Sequence, residues 1–518
     1  MIHRPGALPD PDPHLVDLDD DDVLRWRRLD QRMLVLLPLQ ELVRNALWIG
    51  ALVLLGSRRG AIEWYVGAGI LFGVGLGAAR WYTTSYRVSN QQVQLSRGIL
   101  RRQVLSVPRD RLRSVDLTAS LLHRMLGLAS VRIGTGRSDR RDQRQLRLDG
   151  LRYQDAARLR GELLQRQPLA PGNVSQREPP RGLELARWHG SWVAYGPFTL
   201  SGAVALVAAV GFLAQLAGRD PGALGRVLRS HRLLGLASAS PPVTVLVLAA
   251  AILLLVAAVS TLGYLFTFWN FRLDREAGTL QVRRGLLTHR VVALDERRLR
   301  GVELSEPRLL RLAGGARCIA IATGLRVGRG ADLGGSMLLP PAPRELAQRV
   351  AGAVARSPQG VVCPLRRHGP IAHRRRYTRV LGLALPALLA LAVAWWAGAT
   401  PGWPAWLALA VLLVGLALAQ DRWRNLGHAV ADGHLVTAYG SLVRRRCLLA
   451  SEGIVGWNLH QSFFQRRAGV VTLVATTAAG RQAYPVQDLL PEVAAQLAEE
   501  VRPGLLAPFL APGHPAAP

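Results

Sequence analysis

Long apolar stretches come in pairs along the chain and predict membrane-spanning helices. A helix needs about 20 mostly apolar residues to cross the hydrocarbon core of a bilayer. Six stretches meet this requirement: roughly Leu34–Leu55, Ala61–Ala79, Trp192–Ala217, Val243–Phe268, Val380–Gly398 and Trp403–Ala419. Glu41 and Arg44 interrupt the first stretch, which favours an interfacial position for its start over full insertion.

Alternating apolar and polar residues follow each pair, and this period of two is typical of half-buried strands. Tyr86–Ser89 and Gln92–Leu95 predict a hairpin in the first such region. Further strands are expected at Leu105–Val107, Ser114–Leu117, Ser130–Ile133, Val292–Leu294, Gly301–Leu304, Cys318–Ala322 and Val470–Ala475. Each region ends in an amphipathic stretch that predicts a helix: Tyr153–Gln165, Pro343–Val354 or Leu489–Val501.

The polar regions repeat one another at offsets of 187 and 342 residues. Gly98 corresponds to Gly285 and Gly440, and Leu121-Leu122-His123-Arg124 corresponds to Leu309-Leu310-Arg311 and Phe463-Phe464-Gln465-Arg466. A period of this kind indicates one supersecondary unit used three times. Strands first and a helix last predict an α+β module with a curled antiparallel sheet and a capping helix.

The predicted fold class is therefore three membrane hairpins, with about six helices, and three α+β modules. The boundaries are an acidic tail at 1–33, hairpins at 34–79, 191–268 and 380–420, modules at 80–167, 269–356 and 421–503, linkers at 168–190 and 357–379, and a disordered tail at 504–518.

The charge distribution predicts that the modules face the cytoplasm. All 65 cationic residues are arginine, against 35 acidic residues, for a formal charge of +30. An even number of spans between modules places them on one side, and Arg374–Arg376 before the fifth span marks that side as cytoplasmic. The loop with Arg219 and Arg226 opposes this assignment with fewer charges. The acidic run Asp19–Asp22 is unlike a signal peptide.

Three glycines in the second apolar stretch predict a helix-packing face. Gly69, Gly73 and Gly77 are spaced four apart, so they share one side of a helix and allow another helix to approach closely. Glycine is also common in membrane helices without such a role.

The first repeat resembles the bacterial pleckstrin-homology-like membrane proteins of the YdbS and YdbT type. The resemblance is carried by Tyr86-Arg87-Val88, Arg97-Gly98-Ile99-Leu100, Arg111–Leu117 and the segment from Leu121 to Gly127, and it weakens in the third repeat. It implies a β-sandwich or barrel with a C-terminal capping helix, no known catalysis, and an association with cell-envelope stress and antimicrobial-peptide resistance.

The sequence carries no motif for catalysis or cofactor binding, so we expect no enzyme activity and no cofactor. It contains no phosphate-binding loop, no zinc-protease signature and no nucleophile elbow. Cys318, Cys363 and Cys447 lie too far apart for a disulfide framework or a zinc site to be indicated.

Arginines of the first two modules are the candidate binding residues for anionic lipid or a protein partner. They are Arg97, Arg101, Arg102, Arg109, Arg111, Arg113, Arg284, Arg290, Arg297 and Arg298. Basic residues close to a membrane are attracted to its anionic leaflet. The alternative is a solvated face that only sets topology, and nucleic acid is not expected because aromatic interleaving is missing.

The leading hypothesis is a non-enzymatic scaffold in the bacterial plasma membrane, with cytoplasmic modules that assemble with one another or with a partner and contact anionic lipid. The alternative is a membrane protein that binds or handles a lipid or a peptide.

Overall fold

The computed structural model describes residues 26–36, 39–40, 67, 75, 78–79, 81–89, 91–98, 102–108, 114–134, 146–164, 182–199, 241–324, 336–399 and 401–505. The chain divides into two compact units. The first comprises Met1–Thr135 and Asp139–Leu169, and the second comprises Gly136–Ser138 and Ala170–Pro518.

The first unit contains two antiparallel sheets and a capping helix. Its elements are β1 (Arg27–Arg28), β2 (Ser85–Val88), β3 (Gln92–Arg97), β4 (Gln103–Pro108), β5 (Ser114–Ala119), α1 (Leu121–Met125), β6 (Leu128–Gly134), β7 (Leu146–Arg152) and α2 (Tyr153–Leu164). Strands β1 to β4 pair in order, and β5 to β7 also pair in order. Inward-facing residues such as Val93, Leu117 and Val131 form the core against α2.

The second unit repeats this order of elements twice. The first series is β8 (Leu183–Arg187), a 3-10 helix (Gly190–Phe198), α3 (Pro241–Phe268), β9 (Arg272–Glu276), β10 (Thr279–Arg284), β11 (His289–Asp295), β12 (Leu299–Pro307), α4 (Arg308–Leu312), β13 (Gly315–Ala322), β14 (Met337–Pro343), α5 (Arg344–Ala355) and α6 (Pro358–Val362).

The second series is β15 (Arg366–Arg367), α7 (Pro370–Trp396), α8 (Trp403–Arg424), β16 (Gly427–Ala431), β17 (His434–Tyr439), β18 (Val443–Ala450), β19 (Gly456–His460), α9 (Phe463–Arg467), β20 (Val471–Thr476), β21 (Ala483–Leu489) and α10 (Pro491–Val501).

A continuous seven-stranded sheet joins the two series within the second unit. Its strand order is β14-β13-β12-β18-β17-β16-β15, and β12 pairs antiparallel with β18 from Gly301 opposite Leu449 to Pro307 opposite Val443. One core contains Val302, Cys318 and Leu448, and the other contains Ile321, Cys447 and Leu449. Successive residues of one strand therefore contribute to two different cores, as the alternation of strand side chains requires.

Two of the long apolar helices, α3 and α8, lead directly into a strand. Helix α3 ends at Phe268 and β9 begins at Arg272, while α8 ends at Arg424 and β16 begins at Gly427. The helix pair α7–α8 also connects two neighbouring antiparallel strands, since Arg366 of β15 lies opposite His428 of β16. Both ends of this pair are thus fixed at the same edge of the sheet.

The repeated glycines stand where the backbone needs a conformation that other residues rarely adopt. Gly285 has φ of 107°, and a Cβ added there would lie 2.0 Å from the carbonyl oxygen of Thr288. Gly440 has φ of 99° and would meet the carbonyl oxygen of Val443 at 2.1 Å. Only glycine fits these tight turns without strain.

The structure confirms the predicted antiparallel strands and the three capping helices. It adds β7, β14 and β21, the strands that precede the capping helices, and β18 and β19 of the last series, none of which the sequence patterns predict. Pro340 and Pro341 weakened the alternating pattern of β14, and proline is tolerated there because β14 is an edge strand. Strands β8 and β15 lie in stretches that the sequence assigned to linkers.

Among the residues that the structure describes, three helices are long and apolar enough to cross a membrane: Ala250–Phe268 within α3, Pro370–Trp396 and Trp403–Arg424. The first predicted pair, with Gly69, Gly73 and Gly77, lies almost wholly outside the described residues. The predicted third span begins as a 3-10 helix in which Trp192 is buried, and its continuation beyond Thr199 also lies outside them.

Candidate functional site

The structure describes two of the six candidate arginines of the first unit, Arg97 and Arg102. Both are exposed, at the ends of the strands β3 and β4 that face each other, and Arg102 donates from Nε to Ser96 Oγ at 2.9 Å. Arg101, Arg109, Arg111 and Arg113 lie outside the described residues. The exposed guanidinium groups of Arg97 and Arg102 can reach an external anion.

The candidate arginines of the second unit fall into two groups at opposite ends of β11. Arg284 and Arg290 are direct cross-strand partners at the turn between β10 and β11. Arg297 and Arg298 follow the other end of β11, where Asp295 accepts from the backbone N–H of Arg297. Strand β11 has seven residues, which span about 23 Å at roughly 3.3 Å per residue. These four arginines therefore do not form one face.

Arg284 lies in the interior rather than on the surface. Only 5% of it is exposed, and its guanidinium carbon lies 5.2 Å from the ring centroid of Phe268 in a cation–π contact. Arg290 and Arg298 are half-buried, and Arg297 is exposed. The second unit thus offers fewer free cations than the sequence suggests.

A buried charged cluster joins the start of α7 to the end of β21. Asp488 accepts from Arg375 and from Gln465 Nε2, the latter at 2.9 Å, and its Oδ2 forms an ion pair with Arg376 Nη2 at 2.9 Å. Arg376 also donates to Gln487 Oε1 at 3.2 Å. We call Arg375, Arg376, Gln465, Gln487 and Asp488 the charged junction.

The charged junction was not identified from the sequence. Arg374–Arg376 was interpreted as a topology signal, and Asp488 had no sequence feature that linked it to residues more than 100 positions away. The left-handed backbone of Asp488, at φ of 58°, is a property of the folded chain.

A second polar contact fixes the end of α8. Asp421 pairs with Arg444 of β18 and with Arg311 of α4, the latter at 3.5 Å. On the same helix, Gln420 Oε1 accepts from Tyr377 Oη at 2.8 Å and lies 3.1 Å from His373 Nε2, which ties α8 to α7. The helix pair is therefore held to both strand series of the second unit.

A buried histidine pair lies next to the charged junction. His368 Nε2 is 2.9 Å from His428 Nδ1, and His368 Nδ1 is 2.5 Å from the carbonyl oxygen of Gln487. Burial lowers the pKa of each imidazole to about 4, and each ring also has a cationic neighbour, Arg376 or Arg366. Both rings are neutral at pH 7.

Helix α3 meets its sheet through aromatic side chains. Trp188 lies 5.8 Å from Trp192 and 5.9 Å from Tyr264, and Trp192 lies 5.9 Å from Phe271, measured between ring centroids. Tyr264 Oη donates to the carbonyl oxygen of Pro341 at 2.6 Å. We call Trp188, Trp192, Tyr264, Phe268 and Phe271 the aromatic junction.

The first unit contains a polar cavity of about 430 Å³. It is lined by Arg28, Leu29, Asp30, Gln31, Tyr86, Gly150, Leu151, Arg152 and Asp155. Arg152 Nε donates to Asp30 at 2.8 Å, and this hydrogen bond lowers the pKa of the Asp30 carboxyl. Within the part of the chain that the structure describes, no group of three potential metal ligands comes together.

Comparison with known proteins gives one positive result. A family model described as the bacterial PH domain matches residues 36–167 and 376–504, which together make up about half of the chain. The chain belongs to the bacterial PH domain family. The two matched bacterial PH domain regions contain the first and the last of the three element series. No curated protein and no solved structure matches the chain.

Proposed function

We propose that this bacterial PH domain protein is a non-enzymatic scaffold of the bacterial plasma membrane. Three PH-like modules lie on the cytoplasmic side, where they bind one another or a protein partner and contact anionic lipid. The series from β8 to α5, which lies between the two matched regions in the chain, is also such a module, because its element order and glycine turns repeat those of the matched regions. A role in envelope stress or antimicrobial-peptide resistance belongs to the same proposal.

The observation that carries the proposal is the insertion of the helix pair α7–α8 between two paired strands. At 1.5 Å per residue, helices of 27 and 22 residues are about 40 and 33 Å long, enough for a hydrocarbon core of about 30 Å. Strand β15 precedes α7, and strand β16 follows α8. Because these two strands are hydrogen-bonded to each other, the helix pair starts and ends at the same place in the module. The module supports a fixed pair of spans, as expected of a scaffold.

Cysteine accessibility tests the proposed topology. Ala399→Cys lies in the turn between α7 and α8, and Glu452→Cys is exposed beyond the end of β18. In a Cys363→Ser background, an impermeant thiol reagent should label position 399 in intact cells and position 452 only after permeabilisation. The opposite pattern would contradict cytoplasmic modules.

Replacement of arginines tests the lipid contact. The full-length variant with Arg97, Arg101, Arg102 and Arg109 changed to Gln should retain less anionic lipid during purification, as measured by mass spectrometry. Arg158→Gln, an exposed change on α2, serves as the control. Retention by the wild type should fall with salt, because exposed charges are screened within about 10 Å at 0.1 M. Unchanged retention by the fourfold variant would leave these arginines as topology signals.

A second candidate function is lipid binding within the membrane region. An apolar groove of about 490 Å³ in the first unit is lined by Leu34, Ala78, Ala79, Trp81, Tyr82 and Thr83. Its size and lining suit an acyl chain. Co-purified lipid that is lost on Ala79→Trp, while the fourfold arginine variant keeps it, would favour this function over the scaffold.

A further inference from the structure

Large apolar side chains are exposed at one end of the modules in the second unit. They are Leu287, Leu309, Leu312, Leu442, Phe463 and Phe464, with 42%, 53%, 76%, 59%, 65% and 74% of their surface exposed. We call these six residues the apolar base. They come from two kinds of element, the turn between the second and third strands of a series and the short helix that connects two neighbouring strands, β12 to β13 or β19 to β20.

The turn with Leu287 is fixed against the last turn of α3. The backbone N–H of Leu286 donates to the carbonyl oxygen of Phe266, and that of Gly285 donates to the carbonyl oxygen of Trp269, each at 3.0 Å. Leu287 therefore lies beside the point where a helix long and apolar enough to span a membrane ends.

The turn with Leu442 and the helix α4 are both fixed at the end of α8. Asn425 donates to the carbonyl oxygen of Gly440 at 3.1 Å, and the N–H of Arg308 donates to the carbonyl oxygen of Leu442 at 2.7 Å. Arg311 of α4 pairs with Asp421 of α8. Leu309, Leu312 and Leu442 thus belong to elements that lie beside the end of a second candidate span.

The helix α9 is tied to the start of α7. Gln465 of α9 donates to Asp488, which Arg375 and Arg376 of α7 hold in the charged junction. Phe463 and Phe464 precede Gln465 directly, and their rings contact each other at 5.6 Å between centroids. All six apolar side chains therefore belong to elements bound to the ends of the long apolar helices.

The composition of this end matches the membrane interface. Apolar side chains alternate with cations, since Arg308 and Arg311 flank Leu309 and Leu312, and Arg466 and Arg467 follow the phenylalanines. Interfacial elements place Phe and Leu among the acyl chains and Arg at the headgroups. The apolar base also adjoins apolar helices whose side chains are exposed. In α7, for example, no part of the most apolar window is buried within the protein.

We propose that the apolar base inserts into the interfacial layer of the bilayer around the spans, so that the modules rest in the membrane surface. The occupant is lipid rather than protein, because each contributing element is tied to the end of an apolar helix, directly or, for α9, through Asp488, and the proposed spans surround those ends with lipid. The inference rests on the proposed spans, and it is independent of the arginine contact in the first unit.

The first unit has the same feature on its own short helix. Leu121 and Met125 of α1 are 47% and 77% exposed. His123 of that helix lies 3.4 Å from Gln40, measured between ring Nδ1 and side-chain Nε2, and residue 40 belongs to the first predicted span. We expect α1 to enter the interface in the same way.

Single fluorescent probes on the full-length protein in liposomes test the proposal. In a Cys363→Ser background, cysteine replaces Leu442 or Phe464 in the apolar base, Leu389 in the middle of α7, or Glu452, and is labelled with bimane. Cys318 and Cys447 are fully buried and should not react. Leu442 and Glu452 flank the two ends of β18, whose eight residues span about 25 Å.

Quenching by lipid brominated near the top of its acyl chains should remove most of the emission at positions 442 and 464, and iodide in the water should not. Position 452 should show the reverse. Iodide quenching at 442 and 464 as strong as at 452 overturns the insertion. Protection of both positions from lipid and iodide also overturns it, in favour of a protein partner. Lack of lipid quenching at 389 would instead overturn the proposed spans.

Discussion

The second unit joins its apolar helices to its sheets in two physically different ways. Helix α3 is held by the aromatic junction, where rings pack at 5 to 6 Å and one tyrosine hydroxyl finds a carbonyl. Helix α7 is held by the charged junction, where Asp488 and Arg376 are each only 1% exposed in their side chains. One series thus holds an apolar helix to its sheet by apolar burial, and the other series does so by an ion pair.

The two junctions should respond differently to the loss of a partner. Aromatic packing loses contact area in proportion to what is removed. A buried ion pair adds little to the free energy of unfolding compared with well-packed apolar side chains. Removal of one partner, however, leaves an unpaired charge that is costly to bury. We therefore expect a single change to disrupt the charged junction more than the aromatic junction.

The largest effect is expected for Asp488→Asn. Asparagine keeps the shape and tolerates the left-handed backbone of Asp488, so the change isolates the charge. Two buried arginines lose the carboxylate that they share, and the free energy of unfolding should fall by about 3–5 kcal/mol. Chemical unfolding in detergent measures it.

The matched control for Asp488→Asn is Glu500→Gln. This carboxylate forms an exposed pair with Arg366 at 3.4 Å, so its loss should cost no more than about 1 kcal/mol. Equal effects of the two changes would show that the charged junction does not hold α7.

Acid should destabilise the folded protein through the buried histidine pair that lies next to the charged junction. Folding lowers the pKa of His368 and His428 from an ordinary 6.5 to about 4, so the folded state favours the neutral rings. The stabilisation is complete above pH 6.5 and is lost as the pH falls toward 4, by roughly 3 kcal/mol for one histidine. Unfolding followed between pH 7 and 4 should show this slope.

Two variants locate that pH dependence. The double change His368→Gln and His428→Gln should flatten the slope between pH 6.5 and 4, whereas His460→Gln, at an exposed histidine, should leave it intact. A slope that survives the double change would assign the titration to other groups.

A smaller effect is expected at the aromatic junction. Tyr264→Phe keeps the ring contacts and removes the hydroxyl that donates to the Pro341 carbonyl, which is left buried without this donor. The free energy of unfolding should fall by about 1–3 kcal/mol, with no dependence on salt. Tyr153→Phe at a half-exposed position is the control, and an equally small change in both would argue against a structural role for the hydroxyl.

The smallest effect is expected for Arg311→Gln at the end of α8. Asp421 keeps Arg444 as a partner, so its charge is not left alone. The loss should be about 0.5–1 kcal/mol, within the range of partly exposed ion pairs. The double change of Arg311 and Arg444 to Gln should exceed the sum of the single effects, and simple additivity would contradict a shared partner.

Local patterns were sufficient to predict the elements themselves. Period-two alternation located most strands, amphipathic spacing located the helices α2, α5 and α10, and apolar length located α3, α7 and α8. The repeated glycines were visible as a pattern before their positive φ angles explained them. Elements whose pattern was interrupted by proline or placed in a basic linker, such as β14 and β15, were missed.

The sequence by itself therefore determined most of the antiparallel strands, the capping helices and the three apolar helices that the structure describes, because these depend on residues close together in the chain. The tertiary structure decided which residues act together. In the folded chain β12 pairs with β18, Arg284 lies in the interior, and Arg375 and Arg376 pair with Asp488. The β12–β18 pairing and the charged junction join residues more than 100 positions apart, and charge or hydropathy along a chain does not specify which distant partner a buried group will find.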